Sequence, residues 1–430
     1  MPQSFTIILG KAVRYAARLR GGGSALPGLF VERISPRFVP DTLSQLPHGV
    51  VVISGTNGKT TTTKMVVALL ESQGLKVFTN RTGSNFVRGV AAALLGDINV
   101  KGKLDADIAV LELDEAHAVK FVEIVPPRYS LLLNVMRDQL DRFGEIDATA
   151  RMLEKIAIAT TDTVVINRED ERVAPIADRL DESVNVRHFG LADSLLSQFP
   201  TDDQLHEKHE GQKVSPRKKP AKRPDADVIL KDFNEKGAAF TIAKKSFVTP
   251  LKLKGVYNIY NSAAALALVR AIAPKASMNS LLGALSTVTP AFGRGETLLV
   301  DGQPLELVLV KNPSGFRLGL ESYSPEGYAT MIAINDNYAD GRDMSWLWDV
   351  DFTKLTNYPV YVTGVRAYDM ALRLQYDEVG MEKVSVDTAK ALAEFISLHP
   401  DMPKRIYCTY TAMLAIRKEL SKITKVEVVS

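Results

Sequence analysis

The sequence predicts an α/β protein with two domains, each built around a mostly parallel sheet. The chain has 430 residues, and at ~150 residues per domain this length corresponds to two or three domains. Short β-branched runs alternate with amphipathic stretches along most of the chain, which is typical of βαβ units. The same alternation starts again in the C-terminal third, which predicts a second α/β unit.

The first series of elements opens with Gly49–Ser54, an apolar run with the composition of a buried parallel strand. A glycine-rich turn follows, and then an amphipathic helix from Lys59 to about Ser72. Further elements of this series are strands at 76–79, 108–113, 130–135 and 163–167, and an alanine-rich helix at 256–273.

The second series begins after Pro290–Gly295, where we place a domain boundary. Its predicted strands are 305–310, 330–334, 359–363 and 405–408. We therefore divide the chain into a central domain, residues 1–292, and a C-terminal Rossmann-like α/β domain, residues 293–430.

A polar segment rich in proline and lysine, residues 200–228, interrupts the central domain. We interpret it as an exposed insertion, because such a composition does not form a packed core. The alternative, a tail that binds nucleic acid, is weaker because the whole chain carries a net charge of only +3.

Composition excludes several classes of protein. Apolar residues make up 46% and charged residues 24% of the chain, as in folded globular proteins. The single cysteine, Cys408, excludes an internal disulfide framework. The sequence contains no run of the ~18 apolar residues that a spanning helix needs. We therefore expect a cytoplasmic protein.

The N-terminal stretch has a basic helical face, with Lys11, Arg14 and Arg18 at helical spacing. We favour a helix packed on the body of the protein with this face in solvent. The alternative is a surface that rests on anionic lipid.

The strongest functional signal is Ser54–Thr61, SGTNGKTT, between a predicted strand and a predicted helix. Glycines let backbone N–H groups approach a phosphate, and a helix N-terminus favours negative charge. Lys59 is placed to reach the β- and γ-phosphates of a nucleotide, and the Thr60 hydroxyl to hold Mg²⁺. The predicted nucleotide contacts are Gly55, Thr56, Asn57, Gly58, Lys59, Thr60 and Thr61.

This run resembles the ATP-binding loop of the Mur ligase family, which joins carboxylates to amines through acyl phosphates. The resemblance implies ATP and Mg²⁺ as cofactors. The acidic segment Leu111–Ala116 is similar to the family's metal-binding strand end, which makes Glu112 a second metal ligand beside Thr60. The alternative interpretation of this acidic segment is a cluster of solvated carboxylates at the end of a strand.

Further segments of the same resemblance supply the remaining site residues. Asn134–Gly144 is similar to a family segment in which a histidine stands where this chain has Gln139, and Lys155 has no fixed register with the family's modified lysine. The resemblance implies that Arg294 meets the γ-phosphate. It implies adenine-side contacts at Asn167, Asn258 and Asn261.

The C-terminal half resembles one branch of the family, the MurT ligase subunits of lipid II isoglutaminyl synthases. Lys311–Gly315 and Asn335–Phe352, which holds both tryptophans, carry this resemblance. It implies amidation of the D-glutamate α-carboxylate of lipid II at the inner membrane face, with ammonia from a GatD-like glutaminase partner. An aspartate of the ligase subunit then completes the partner's Cys-His pair, and we assign it to Asp349, with Asp343 and Asp351 as alternatives.

Several expectations and alternatives complete this interpretation. The loop strand begins near Gly49, which leaves no room for the UDP-binding domain of other Mur ligases. Many MurT chains have a four-cysteine zinc ribbon, but residues 200–228 contain no cysteine, and His206 and His209 lack partners of the right type, so we predict no structural zinc. Another amino-acid ligase of the family, such as a folylpolyglutamate synthase, and a non-catalytic ATP-binding scaffold are the alternative functions.

Overall fold

The structure, a computed structural model, describes residues 3–19, 25–80, 87–137, 146–199, 201, 223–234, 236–253, 255–290 and 294–426. The strands of its first sheet are β1 (Val50–Ser54), β2 (Val77–Thr79), β3 (Ile108–Glu112), β4 (Tyr129–Leu132), β5 (Thr163–Asn167), β6 (Asn185–Leu191), β7 (Val228–Asn234), β8 (Gly237–Ile242) and β9 (Lys245–Pro250). The helices around it are α1 (Gln3–Leu19), α2 (Ala25–Ile34), α3 (Phe38–Leu43), α4 (Lys59–Glu71), α5 (Val87–Asp97), α6 (Glu115–Ile124), α7 (Ile146–Ile158), α8 (Val256–Ile272) and α9 (Met278–Thr287). Short 3₁₀ helices occur at Ala174–Arg179 and Asp193–Gln198.

The first sheet has nine strands in the order β2-β3-β1-β4-β5-β6-β7-β8-β9. Pairing is parallel as far as β7, and the last three strands form an antiparallel meander. Strand β1 lies between β3 and β4, so the loop that follows it opens at the carboxyl edge of the sheet, where ligands bind in α/β folds.

Both faces of this sheet are buried, which explains the continuous apolar run of β1. Val51 and Ile53 pack in the core that contains α4, α8 and α9. Val50 and Val52 point the other way, into the core formed with α3, α5, α6 and α7. Alternate side chains of one strand therefore fill two cores.

Helix α1 packs against α2 and α5. Ile7 is buried, and the neighbouring Ile8 is exposed. The structure thus agrees with a helix packed on the body. Across the described ranges, no helix is both long and apolar enough to span a bilayer.

The second sheet has the order β10-β11-β15-β12-β13-β14. Its strands are β10 (Arg294–Val300), β11 (Gln303–Leu309), β12 (Ala329–Ala333), β13 (Val360–Thr363), β14 (Met381–Ser385) and β15 (Lys404–Cys408), and its helices are α10 (Pro313–Ser322), α11 (Ala367–Tyr376), α12 (Thr388–Leu398) and α13 (Tyr410–Leu420). The 3₁₀ turns Ser345–Asp349 and Thr353–Leu355 precede β13. Among the strands that the structure describes here, β10 alone pairs antiparallel. Helices α10 and α11 cover one face of the sheet, and α12 and α13 cover the other.

The prediction that residues 200–228 form an exposed insertion is wrong at the C-terminal end of this segment. The Arg223 side chain is only 14% exposed and is ion-paired with Glu169 and Asp193, and β7 starts at Val228. Arg223 adds hydrogen bonds to the buried Glu169 carboxylate, which is also paired with Arg168, and to the Leu191 carbonyl. Residues 200 and 202–222, with His206 and His209, lie outside the described residues.

Candidate functional site

The loop between β1 and α4 has the shape that its glycines predict. Gly55 and Gly58 have φ angles of 136° and 91°, in the region that favours glycine. A Cβ atom on Gly58 would lie 2.2 Å from the Asn261 side-chain nitrogen. Asn261, from α8, therefore lies directly against the loop, and a larger residue at 58 would displace one of them.

The segment after β4 fixes the loop from the other side. The backbone N–H of Thr56 donates to the Asn134 carbonyl at 2.9 Å. The Asn57 N–H donates to Asn134 Oδ1 at 2.9 Å, and Asn134 Nδ2 donates back to the Asn57 carbonyl at 2.9 Å. The Thr56 hydroxyl accepts from the Met136 N–H at 3.1 Å. The segment after β4 thus holds the loop in this conformation.

Lys59 lies at the first turn of α4, but its ammonium is turned inward. Its Nζ donates to the Gly55 carbonyl at 2.6 Å and is ion-paired with Glu115 Oε1 at 3.3 Å. The two side chains are 6% and 2% exposed. Glu115 thus holds the lysine charge beneath the loop, where it adds positive potential at the place where a phosphate would bind.

Thr60 and Glu112 are brought together as predicted for metal ligands. The Thr60 hydroxyl donates to Glu112 Oε1 at 2.7 Å. Asn80 fixes the Glu112 backbone through bonds of 2.8 and 3.0 Å to its carbonyl and N–H. Within the described ranges, no group of three or more His, Cys, Asp or Glu side chains could enclose a metal ion. Two protein oxygens suit Mg²⁺, which usually takes its other ligands from water and nucleotide phosphates.

A cleft between the two domains opens over this loop. The cleft is open to solvent, and residues of both domains line it. Asn57, Gly58, Lys59 and Glu112 line the central-domain wall, and Lys311 is among the residues of the opposite wall.

The C-terminal domain touches the loop through the start of α10. Asn312 caps this helix by accepting from the Gly315 N–H at 2.6 Å. Its Nδ2 donates to Asn57 Oδ1 at 3.4 Å. The Ser314 hydroxyl donates to the Arg137 carbonyl at 3.2 Å. One short helix therefore ties the second domain to the phosphate-binding loop and to the segment after β4.

Of the residues predicted to lie on the adenine side, Asn167 and Asn261 line an adjoining pocket, but Asn167 is engaged by the protein. Its Nδ2 donates to the Leu133 carbonyl at 2.7 Å. Its Oδ1 accepts from the Tyr260 hydroxyl at 2.6 Å and from the Glu169 N–H at 3.0 Å. Asn167 lines this pocket, so direct contact with adenine stays a prediction.

Asn258 and Arg294 complete the predicted nucleotide contacts. Asn258 and Asn261 both line the interdomain cleft. Arg294 begins β10 opposite Val308, while its side chain lies outside the described residues. Lys155 lies in α7, and Gln139 lies outside the described residues.

A buried charge cluster supports the adenine-side pocket. Glu169 accepts from Arg168 Nε at 2.9 Å, from Arg223 Nε at 3.1 Å and from the Leu191 N–H at 2.8 Å. Burial opposes the charge of Arg223, but the hydrogen bond and charge of Glu169 raise its pKa. At Gly190, a Cβ would lie 2.2 Å from Arg168 Nε, so this glycine makes space for the cluster.

The three candidate aspartates near the tryptophans differ in their environment. Asp343 Oδ1 accepts from the Ser345 N–H at 2.8 Å, and hydrogen bonds from Ser345 lower the pKa of Asp343. Asp351 accepts from the N–H and hydroxyl of Thr353 at 2.9 and 2.6 Å. The Asp349 carboxylate is half-buried and has no hydrogen-bond or ion-pair partner among the described residues. Its backbone carbonyl accepts from Arg317 of α10.

Sequence reasoning gave no role to several residues that build the site. Glu115 and Asn134 stood inside the matched segments, but only the fold shows that they hold Lys59 and Asn57. Asn312 stood inside Lys311–Gly315, a segment of the resemblance, and the N-cap pattern Asn-Pro-x-Gly was the signal available for its role. Arg223 gave no signal, because it stands in a run of basic residues.

Comparisons with known proteins agree with this geometry. The family model described as Mur ligase middle domain matches residues 53–269, and the one described as MurT ligase C-terminal matches residues 309–413. The chain is similar to the lipid II isoglutaminyl synthase (glutamine-hydrolyzing) subunit MurT of Streptococcus pneumoniae strain R6, with 30% identity over 96% of both chains.

Solved structures show the same fold. A pseudomurein peptide ligase type C from Methanothermus fervidus matches with a TM-score of 0.67 and 17% identity, covering 90% of this chain and 81% of that one. The MurF ligase from Thermotoga maritima in complex with ADP matches with a TM-score of 0.66 and 17% identity over 90% and 81%.

Proposed function

The chain belongs to the Mur ligase family, in its MurT branch, and from this membership we propose that it amidates the stem peptide of lipid II. The reaction uses MgATP to phosphorylate the α-carboxylate of D-glutamate, and ammonia then displaces the phosphate to give D-isoglutamine. The observation that carries the proposal is the cleft between the domains. The phosphate-binding loop forms one wall, and the segment typical of MurT begins at the other.

Phosphorylation makes amidation possible because a carboxylate has no adequate leaving group. One carboxylate oxygen attacks the γ-phosphorus, and the bond from this phosphorus to the oxygen bridging it to ADP breaks. Ammonia then forms a C–N bond at the acyl carbon, phosphate leaves with that carboxylate oxygen, and the nitrogen loses a proton. Enclosure between two domains protects the acyl phosphate from water.

The residues of the loop bind the triphosphate and stabilise the transferred charge. Backbone N–H groups of Gly58 and Lys59, at the start of α4, provide donors and a favourable dipole. The Lys59 ammonium adds positive charge below them, and Arg294 provides the second cation at the γ-phosphate. Thr60 and Glu112 hold Mg²⁺, which neutralises charge on the phosphate oxygens when it is bound.

Ammonia comes from a glutaminase subunit of the GatD type. The relative from Streptococcus pneumoniae is named as a subunit of a glutamine-hydrolyzing synthase, which supports a partner for this chain. Asp349 is the residue of this chain that orients the partner's catalytic histidine, as the third member of a triad does. Its carboxylate suits this role because the neighbouring Asp343 and Asp351 are engaged in local hydrogen bonds.

The test is a reconstituted assay with lipid II, ATP, glutamine and a co-expressed GatD-like subunit. The expected product is lighter than lipid II by one mass unit, and Lys59→Ala abolishes it. Asp349→Asn loses glutamine-driven amidation but keeps amidation driven by ammonium. ATP turnover with no mass change on lipid II would contradict the proposed substrate and indicate another carboxylate.

A further inference from the structure

A stripe of large apolar side chains is exposed on helix α11. Tyr368, Leu372 and Tyr376 are 68%, 50% and 71% exposed. Their spacing of four residues places them on one face of the helix. Met370 and Leu374 on the opposite face are fully buried in the core. Contiguous exposed surface of this kind on a soluble domain marks an interaction site.

The stripe continues onto the tryptophan-containing turn. The rings of Trp348 and Tyr376 meet edge to face, with centroids 5.0 Å apart. The Arg373 guanidinium lies 5.6 Å from the Trp348 ring centroid. Trp348 is itself 42% exposed. We call Trp348, Tyr368, Leu372 and Tyr376 the aromatic patch.

Asp349 lies at the edge of the aromatic patch on a fixed backbone. Arg373 of α11 donates to the Val350 carbonyl at 2.6 Å, and Arg317 of α10 donates to the Asp349 carbonyl. Its neighbour Trp348 is held by Tyr376. Two helices thus fix the backbone of this turn. The Asp349 carboxylate has no partner among the described residues and lies next in the chain to Trp348 of the aromatic patch.

We propose that the aromatic patch is the docking surface for the glutaminase subunit. This inference rests on the proposed function, because it takes Asp349 as the residue that reaches the partner's histidine. Aromatic side chains are enriched in the cores of protein interfaces. A carboxylate beside such a core requires a hydrogen-bond donor from the occupant once water is excluded. An imidazole N–H meets that requirement, whereas a purely apolar occupant leaves the carboxylate without a partner.

The experiment compares two leucines on opposite faces of the same domain. Leu372→Asp places a charge in the aromatic patch, and Tyr376→Asp does so beside Trp348. Leu398→Asp is the matched control, because Leu398 is 62% exposed at the end of α12, which packs on the other face of the sheet. Binding of each full-length variant to the purified GatD-like subunit is measured by titration calorimetry. Amidation of lipid II is measured with glutamine and, separately, with ammonium.

We expect Leu372→Asp and Tyr376→Asp to raise the Kd at least tenfold and to lose glutamine-driven amidation in proportion. Ammonium-driven amidation stays at the wild-type rate, which shows that both variants fold, and Leu398→Asp behaves as wild type throughout. An unchanged Kd in both patch variants, with a wild-type chain that binds and uses glutamine, overturns the docking surface and leaves the proposed function intact.

Two other outcomes also overturn the inference. If the wild-type chain is a dimer in sedimentation and Leu372→Asp makes it monomeric without changing the Kd for the glutaminase, the patch joins two copies of this chain. If the wild-type chain neither binds the glutaminase nor uses glutamine, the proposed function fails together with the inference.

Discussion

The Thr60 hydroxyl of helix α4 donates a 2.7 Å hydrogen bond to the Glu112 carboxylate at the end of strand β3. The two residues are 52 positions apart in the chain, and parallel pairing of β1 with β3 brings them together. Asn80 fixes the Glu112 backbone from the β2 side. This pair forms the protein part of the proposed Mg²⁺ site.

Glu112→Gln tests the metal role of this pair. The amide keeps the size and one acceptor oxygen but removes the charge that favours Mg²⁺. We expect ATP-dependent activity to fall at least ~100-fold, the upper end of what changes in outer-shell metal contacts alone cause. The Mg²⁺ concentration for half-maximal activity is measured for the variant and for Glu123→Gln, an exposed glutamate on α6. Equal Mg²⁺ dependence in wild type and Glu112→Gln would contradict the metal role.

Removal of Lys59 should cost both activity and stability. Lys59→Ala leaves the Glu115 carboxylate, 2% exposed, without its cation, and breaking a buried pair in this way typically costs ~3–5 kcal/mol. The double variant Lys59→Met/Glu115→Gln removes both charges, so it should recover much of this stability while remaining inactive. Urea unfolding and ATP hydrolysis measure the two effects. A double variant as unstable as Lys59→Ala would show that the ion pair is not the cause.

Arg223 should position the adenine-side pocket without entering the chemistry. Arg223→Ala removes the Glu169 and Leu191 contacts, and Glu169 is hydrogen-bonded to Asn167 in the pocket wall. We expect the KM for ATP to rise about tenfold, equivalent to ~1.4 kcal/mol, with kcat nearly unchanged.

The control for Arg223 is Arg179→Ala, which removes a half-exposed guanidinium paired with Glu154 on the surface. Arg223→Lys keeps the charge and should restore part of the affinity for ATP. A fall in kcat with no change in the KM for ATP would show that Arg223 does not position this pocket.

The burial of His188 predicts that the folded protein loses stability as the pH falls. Burial lowers the pKa of His188 below its ordinary value of 6.5, and the charge of Arg168 adds to this effect, while Asp227 and Asp178 oppose it. The unfolded chain therefore takes up a proton at a higher pH than the folded protein does. The contribution of His188 to the free energy of unfolding is fully present above about pH 6.5. It is lost as the pH falls toward and through the lowered pKa of the folded protein.

His188→Gln should make stability less dependent on pH between 7 and 5, as measured by urea unfolding at each pH. A variant with the same pH slope as wild type would show that other groups cause the slope.

Periodicity predicted the parallel strands β1 to β5 of the first sheet but missed β6 to β9, which lie together at one end of that sheet. The strand expected at 163–167 is β5 as observed, and the strand expected at 108–113 ends one residue early. Strand β7 contains Lys231 and Asp232 on its exposed side, and β9 is mostly exposed. The missed strands bury only part of their side chains, so they lack the continuous apolar run that marked the others.

The site shows the same division between local and long-range information. The turn at Gly55–Thr61 could be predicted, because glycines at fixed spacing between a strand and a helix favour it, while its role in binding phosphate stays a prediction. The Lys59–Glu115 pair and the Asn57–Asn312 contact join distant parts of the chain. Their partners depend on strand order and on domain placement, which no local pattern specifies. Asn167 shows a further limit of sequence reasoning, since its hydrogen bonds to Tyr260 and Leu133 could not be predicted, and its contact with adenine stays a prediction.

The central claim, that this chain activates a carboxylate as an acyl phosphate, is tested most directly by oxygen transfer. Lipid II labelled with ¹⁸O in the D-glutamate α-carboxylate is incubated with ATP, ammonium and the complex, and the phosphate and peptide products are analysed by mass spectrometry. The account predicts one ¹⁸O atom in each phosphate released and one in the new amide, with neither product formed by Lys59→Ala. Amide formed with unlabelled phosphate, or with ¹⁸O in AMP, would contradict it.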